Sequence, residues 1–416
     1  MESTPRNLRA MLAEAKDHSE LMIDLAYAAL FFNDEEMAEE VFELETDLYM
    51  RVHEMREVCI LAARNVRDAS QMSSVLLVMT SIERMGYAAT EIARIVVHKL
   101  GIPAALLNDL ASAQEVSHRM RIRETSPMAH QSLESLELPT EYSMRVVAIK
   151  RQSNWIIDPD GDQILLPDDI LILRGSPDGI SGLRNLAGAP VYKPIVENDQ
   201  GIISDLDRAV DVLVEMKNLS EVCVGLAYSA LLLNDRSLAA EVNHLEDRID
   251  EMRDHLEVWI LRAAAEMVDP SQLRGLLRLG GAAEEIGDAA QQLVWLIDTQ
   301  EEIHPVLKAY LTESDEVVIR MPVAKDSVLV GKTLGEVKLE IETGFFLLAI
   351  KHNTRYFYRP KSHLKIRAED ELILNGPNEG RQYLAELCGY VFTEDEETGE
   401  YEIVVLPKDS KSDKDN

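Results

Sequence analysis

Aromatic residues make up only 5% of the 416-residue sequence, although 46% of it is hydrophobic. The apolar interior must therefore come from Ala, Leu, Ile, Val and Met, a mixture that suits packed helices better than sandwiched sheets. Cysteine is scarce as well. Cys59, Cys223 and Cys388 lie far apart, outside any CxxC or Cys/His cluster, which leaves neither a disulfide framework nor a zinc motif and points to a reducing compartment. Long apolar runs are missing: stretches such as 74–80 and 345–350 fall far short of the roughly 20 residues that span a bilayer, and MESTPRNLRA holds no apolar signal segment. A cytoplasmic protein is expected, peripheral at the membrane only through a transporter partner. Basic charge is in deficit too, with 42 Lys and Arg against 74 Asp and Glu, a formal net charge of −32. Such a surface repels phosphate backbones and anionic head groups, so nucleic acid is not an expected partner. With Arg commoner than Lys, it fits a salt-rich cytoplasm such as that of a halophilic archaeon.

What the sequence does contain is a copy of itself. SELMIDLAYAALFFND at 19–34 matches SEVCVGLAYSALLLND at 220–235, an offset of 201 residues. The same offset brings Glu40-Val41 onto Glu241-Val242, Glu83 onto Glu284, and Leu133–Gly175 onto Leu334–Gly376 without a gap. One unit of about 200 residues is duplicated.

Within each unit the texture changes once. Residues 8–112 and 206–310 carry apolar residues at helical spacing, broken at Asn33-Asp34, Asp68–Ser70, Gly101–Pro103 and their counterparts, which predicts antiparallel helical hairpins. Residues near 117–188 and 316–389 instead hold short β-rich runs, RVVAIKR, NWIID and DILILRG in the first copy and FFLLAIKH, RYFYRP and ELILNG in the second. Helices are expected near 181–186 and 379–387. The expected architecture is α and α+β: bundles at 1–115 and 206–312, small α+β modules at 116–190 and 313–392, a linker over 191–205, and a charged, mobile tail over 393–416.

The β-rich module resembles the C-terminal regulatory domain of potassium-conductance regulators, RCK_C or TrkA-C. The resemblance rests on VGKTLGEVKLEIETGFFLLAIKH at 330–352, Pro360 and AEDELILNG at 368–376, with SLESLEL, RVVAIKR, Pro159 and PDDILILRG in the first copy. The helical module looks like half of a PhoU-type protein. These resemblances imply paired regulatory domains that bind a small ligand at their seam, a cyclic dinucleotide such as cyclic di-AMP or another nucleotide, and bundles that pair, bind metal and act as adaptors in transport signalling. The nucleotide-binding half of full-length potassium regulators, with its GxGxxG turn, is missing: Leu279-Gly280-Gly281 falls inside a helical stretch.

Glu246 and Asp250 in HLEDRID, and Glu284 and Asp288 in AEEIGDAA, are each spaced i, i+4, which puts each pair on one helix face. Four hard oxygen ligands converging across two helices would suit Mg²⁺, Mn²⁺, Fe or Ca²⁺, the pattern that the resemblance to PhoU-like proteins implies. In the first copy both aspartates are replaced by tyrosine, giving Glu45 with Tyr49 and Glu83 with Tyr87. The second bundle is therefore expected to hold a metal and the first a tyrosine-lined or hydrogen-bonded contact; the plain alternative is that all these carboxylates are solvated surface. No nucleophile or histidine joins them, so no enzyme is expected.

The second module also carries Lys351, His352, Arg355, Arg359, Lys361, His363, Lys365 and Arg367 without an intervening acid, where the first has Lys150, Arg151, Asn154, Asp158, Asp160 and Asp162. This strip reads either as the phosphate-facing side of a nucleotide pocket, with Tyr356 and Tyr358 for stacking, or as one half of a charge match between the modules. By resemblance, the ligand cleft is lined by Ala148, Ile149, Lys150, Arg151 and Pro159 with Ala349, Ile350, Lys351, His352, Arg355, Arg359 and Pro360, although the apolar members also suit a core. The expected function is a sensor or regulatory subunit for potassium or other cation transport, acting on a membrane channel, transporter or antiporter, with a homodimer open. The alternative is a metal-binding adaptor in phosphate-transport signalling.

Overall fold

The structure is a computed structural model. It describes residues 7–103, 116–152, 154–176, 179–188, 204–267, 269–299, 304–307, 316–353, 355–358, 360, 363–377, 380–394 and 401–405. The expected linker is almost wholly outside these residues.

Three long helices form the first bundle: α1 (Leu8–Phe32), α2 (Glu35–Ala62) and α3 (Val66–Val97). The Asn-Asp dipeptide that breaks the pattern serves both neighbours. Asn33 ends α1 in the left-handed conformation, and Asp34 then caps α2 by accepting from Met37 N. Asn and Asp are favoured in these roles because their short polar side chains tolerate positive φ and satisfy free backbone donors. The first α+β module follows: β1 (Val116–Arg121), α4 (Leu133–Leu136), α5 (Leu138–Tyr142), β2 (Met144–Arg151), β3 (Asn154–Ile157), β4 (Ile170–Gly175) and α6 (Ile180–Leu186). Its sheet runs in the order β1-β4-β2-β3.

The second bundle repeats the first with α7 (Asp205–Leu233), α8 (Arg236–Glu266), a 3₁₀ turn (Pro270–Leu273) and α9 (Arg274–Asp298). Asn234 and Asp235 reproduce the cap pair. The second module has β5 (Glu316–Pro322), α10 (Leu334–Val337), α11 (Leu339–Thr343), β6 (Phe346–His352), β7 (Arg355–Tyr358), β8 (Glu371–Pro377) and α12 (Arg381–Cys388), with its sheet in the order β5-β8-β6-β7. A two-stranded ribbon of β9 (Tyr390–Glu394) and β10 (Tyr401–Val405) closes the described chain. The sequence reading missed β1, β5 and this ribbon, whose second strand lies within the segment taken for a mobile tail.

The chain divides into two compact units, 1–136 with 145–314, and 137–144 with 315–416. In the first unit the two bundles meet through α3 and α9. This meeting has two-fold character. Lys16 Nζ lies 5.2 Å from the Tyr228 ring, while Lys217 Nζ lies 5.2 Å from the Tyr27 ring, and the two lysines, like the two tyrosines, are related by the repeat offset. Arg84 Nε donates to Glu285 Oε1 at 2.5 Å, two positions 201 residues apart that face one another across the axis. In the second unit, α5 packs against its repeat counterpart α11, burying Leu138 and Leu339. Among the described residues, no helix is long and apolar enough to cross a membrane.

Candidate functional sites

Helices α8 and α9 bring Glu246, Asp250 and Asp288 together, with one carboxylate oxygen from each lying within 4.8 Å of the others. The i, i+4 spacing on α8 sets the first two on one face, and α9 supplies the third. Glu246 is 7% exposed, and Gln291 Nε2 donates to its Oε2 at 2.6 Å. Arg84 Nη2 donates to Asp288 Oδ2 at 2.8 Å. Burial, then the charges of Asp250 and Asp288, push the Glu246 carboxyl up to about 7. Burial and the neighbouring Asp288 also raise Asp250. Three crowded hard oxygens, one of which retains its proton near neutrality, fit a divalent cation that would relieve their mutual repulsion, with Glu246, Asp250 and Asp288 as its ligands.

The fourth expected ligand stands apart. Glu284 pairs with Arg253 of α8 and lines a cavity one turn from Asp288. In the first bundle, Glu83 accepts from Arg56 Nη2 at 2.5 Å, and Tyr49 and Tyr87 are exposed.

The residues expected at the ligand cleft divide by side-chain chemistry. Ala148, Ile149, Ala349 and Ile350 are buried in their sheets. Lys150 pairs with Glu36 of α2 and lies 5.1 Å from the Trp155 ring. Its counterpart Lys351 lies 3.4 Å from Glu371 and 5.1 Å from the Tyr356 ring. Arg151 grips Asp169 through both Nε and Nη2, at 2.9 and 2.7 Å. The equivalent pair in the second module is His352 and Asp370, and the His352 Nε2 is buried without a hydrogen-bond partner. Pro159 and Pro360 follow the third strand of each sheet. Arg355 lies on β7, and Arg359 is outside the described residues.

A further constellation went unread in the sequence. Arg174 on β4 reaches Asp24 of α1 through Nε at 2.8 Å and Glu221 of α7 through Nη2 at 2.6 Å. Arg145 Nη2 joins Asp24 at 2.9 Å, and Lys217 Nζ holds Glu221 at 2.8 Å. Burial opposes ionisation of Glu221, but the charges of Lys217 and Arg174 outweigh it and hold the carboxyl below its ordinary range. One arginine from the sheet thus binds both bundles at their axis. The signal was Asp24 itself, a lone charge inside the apolar run LMIDLAYAAL. The second copy has Gly225, Phe346 and Asn375 at the positions of Asp24, Arg145 and Arg174, so the junction has no duplicate.

Comparison with known proteins follows the same division. The family model for the PhoU domain matches residues 12–96 and 213–295, and that for the TrkA-C domain matches 118–188 and 318–389. The chain is thus a tandem of PhoU and TrkA-C domains, two regulatory families. Among solved structures it is similar to PhoU from Pseudomonas aeruginosa (15% identity, covering 70% of this chain and 93% of that chain, TM-score 0.36). It is also similar to the GsuK RCK domain (15%, 72% and 72%, TM-score 0.18) and to the GsuK channel bound to NAD (12%, 77% and 65%, TM-score 0.18). No curated protein matches it.

Proposed function

We propose that this protein is a ligand-responsive regulator of potassium or other cation transport. Its paired TrkA-C modules take up a small ligand, a cyclic dinucleotide such as cyclic di-AMP or another nucleotide, and its PhoU bundles pass the response to a membrane channel, transporter or antiporter. The observation that carries this reading is the ionic junction at Arg174. A sheet that shifts on ligand binding must strain Arg174 against Asp24 and Glu221 together, so a change in one small module biases the arrangement of both bundles. Lys150 and Arg151 in the first module, and Lys351 and His352 in the second, are the charged and polar groups this reading assigns to the ligand. Isothermal titration of the full chain with cyclic di-AMP, NAD and ATP tests the ligand class, with Arg355→Ala expected to weaken binding tenfold or more. A pull-down from the native membrane fraction, with and without the nucleotide that binds, tests the output. Absence of binding by all three nucleotides, or capture of the same membrane proteins in both states, would sink the reading.

A second reading, a metal-binding PhoU-type adaptor in phosphate-transport signalling, is favoured by the convergence of Glu246, Asp250 and Asp288. Here Mn²⁺ or Mg²⁺ would bind at these residues and Asp250→Asn would abolish the titration heat. The cation must displace the proton that Glu246 retains, so binding is expected to tighten from pH 6 to pH 8.

A further inference from the structure

The seam between α3 and α9 has two sides, related by the repeat, and they have diverged. One side carries Asp288, next to Glu246 and Asp250. At the counterpart of Asp288 on the other side stands Tyr87, and there a cavity of about 510 Å³ opens, of a size suited to a small organic ligand. Three arginines line it: Arg253, Arg274 and Arg278. Their repeat counterparts are Val52, Ser73 and Leu77, so every guanidinium in this cavity belongs to one copy alone.

The carboxylates that share the cavity are already held. Glu91 is bonded by both Arg94 and Arg278, Glu284 by Arg253, and Glu285 by Arg84. Arg274 has no carboxylate partner among the described residues. It begins the 25-residue helix α9, directly after the 3₁₀ turn Pro270–Leu273 that Asp269 caps. The floor is open as well. A Cβ on Gly281 would meet nothing within 4 Å, and the half-exposed ring of Tyr87, with Leu277 and Ala282, provides an apolar wall.

We propose that this cavity binds a small molecule with an oxyanion head, such as a phosphate ester, and an apolar or aromatic body. Arg274 and Arg278, one helical turn apart, hold the head with Arg253 opposite, because guanidinium forks match phosphate oxygens in pairs. Tyr87 and Leu277 cover the body. The duplicated seam then has a cation-attracting side and an anion-binding side.

The test is isothermal titration of the full chain in EDTA with phenyl phosphate, inorganic phosphate and phenol, which keeps the carboxylate cluster out of the readout. Phenyl phosphate is expected to bind saturably and more tightly than either fragment. Arg274→Ala, at an exposed position, should weaken it about tenfold or more. Gly281→Leu should abolish binding by filling the floor, with helix content and melting temperature unchanged or raised, since Leu is the better helix former. The proposal is overturned if phenyl phosphate fails to bind, if it binds no better than inorganic phosphate, or if Arg274→Ala and Gly281→Leu bind it like the parent.

Discussion

Single residues in the first unit carry opposite electrostatic fates. Glu246 retains its proton up to about pH 7, against an ordinary value of 4.5. Between those values the folded protein keeps a proton that the unfolded chain has released, so metal-free stability falls as pH rises through that window. Thermal melts in EDTA from pH 4 to 8 should show this fall, and Glu246→Gln should flatten it. Arg174 is the converse case. Its removal leaves Asp24 and Glu221 short of a charge partner in a buried setting, and Arg174→Gln should cost about 3 kcal/mol or more in denaturant unfolding. Tyr27 marks a place where the repeat symmetry fails. The Tyr228 hydroxyl reaches Met85 Sδ at 3.8 Å, but the equivalent of Met85 is Ile286, and the Tyr27 hydroxyl is buried without a partner. Tyr27→Phe is therefore expected to be neutral or to stabilise by up to about 1 kcal/mol.

At the scale of elements, legibility followed locality. The Asn-Asp breaks were readable because one dipeptide performs both capping tasks in each copy, whereas the break expected at Asp68–Ser70 falls inside α3, which Asn65 caps after α2 ends at Ala62. The strands RVVAIKR and DILILRG were readable as apolar runs. Strand β1, VSHRMR, was not, because it is a largely polar strand that among the described residues lies at the sheet edge, paired with β4 alone. The i, i+4 rule placed Glu246 with Asp250, but it could not say that Glu284, one turn before Asp288, would turn to Arg253 instead. Nor could any local pattern join Arg174 to Asp24 across 150 residues. Helices α5 and α11 are a sharper case of tertiary constraint. Gly344 ends α11 with φ 73°, and a Cβ there would lie 2.7 Å from the carbonyl oxygen of Pro139 on α5. Gly344→Ala combines strain with that clash, and should destabilise the second unit by about 1–3 kcal/mol, with faster hydrogen exchange over 138–142 and 339–343.

For the molecule as a whole, the duplication places both halves of a two-fold interface in one chain, and the two halves no longer match. Arg84 opposite Glu285 is the clearest instance, because these are the same position in the two repeats. Arg84→Glu should destabilise the bundle pair, as it sets a third carboxylate against Glu285 and Asp288, and Glu285→Arg added to it should restore most of the loss. A double-mutant cycle on thermal or denaturant unfolding measures that recovery.

In a pair of separate identical chains, a residue on the axis meets its own twin, so this place could hold two guanidiniums or two carboxylates but never one of each. Joining the copies end to end removed that restriction, and the seam now depends on the difference. A descendant trimmed back to either repeat would inherit a surface that repels its own likeness, which makes the fusion hard for evolution to undo.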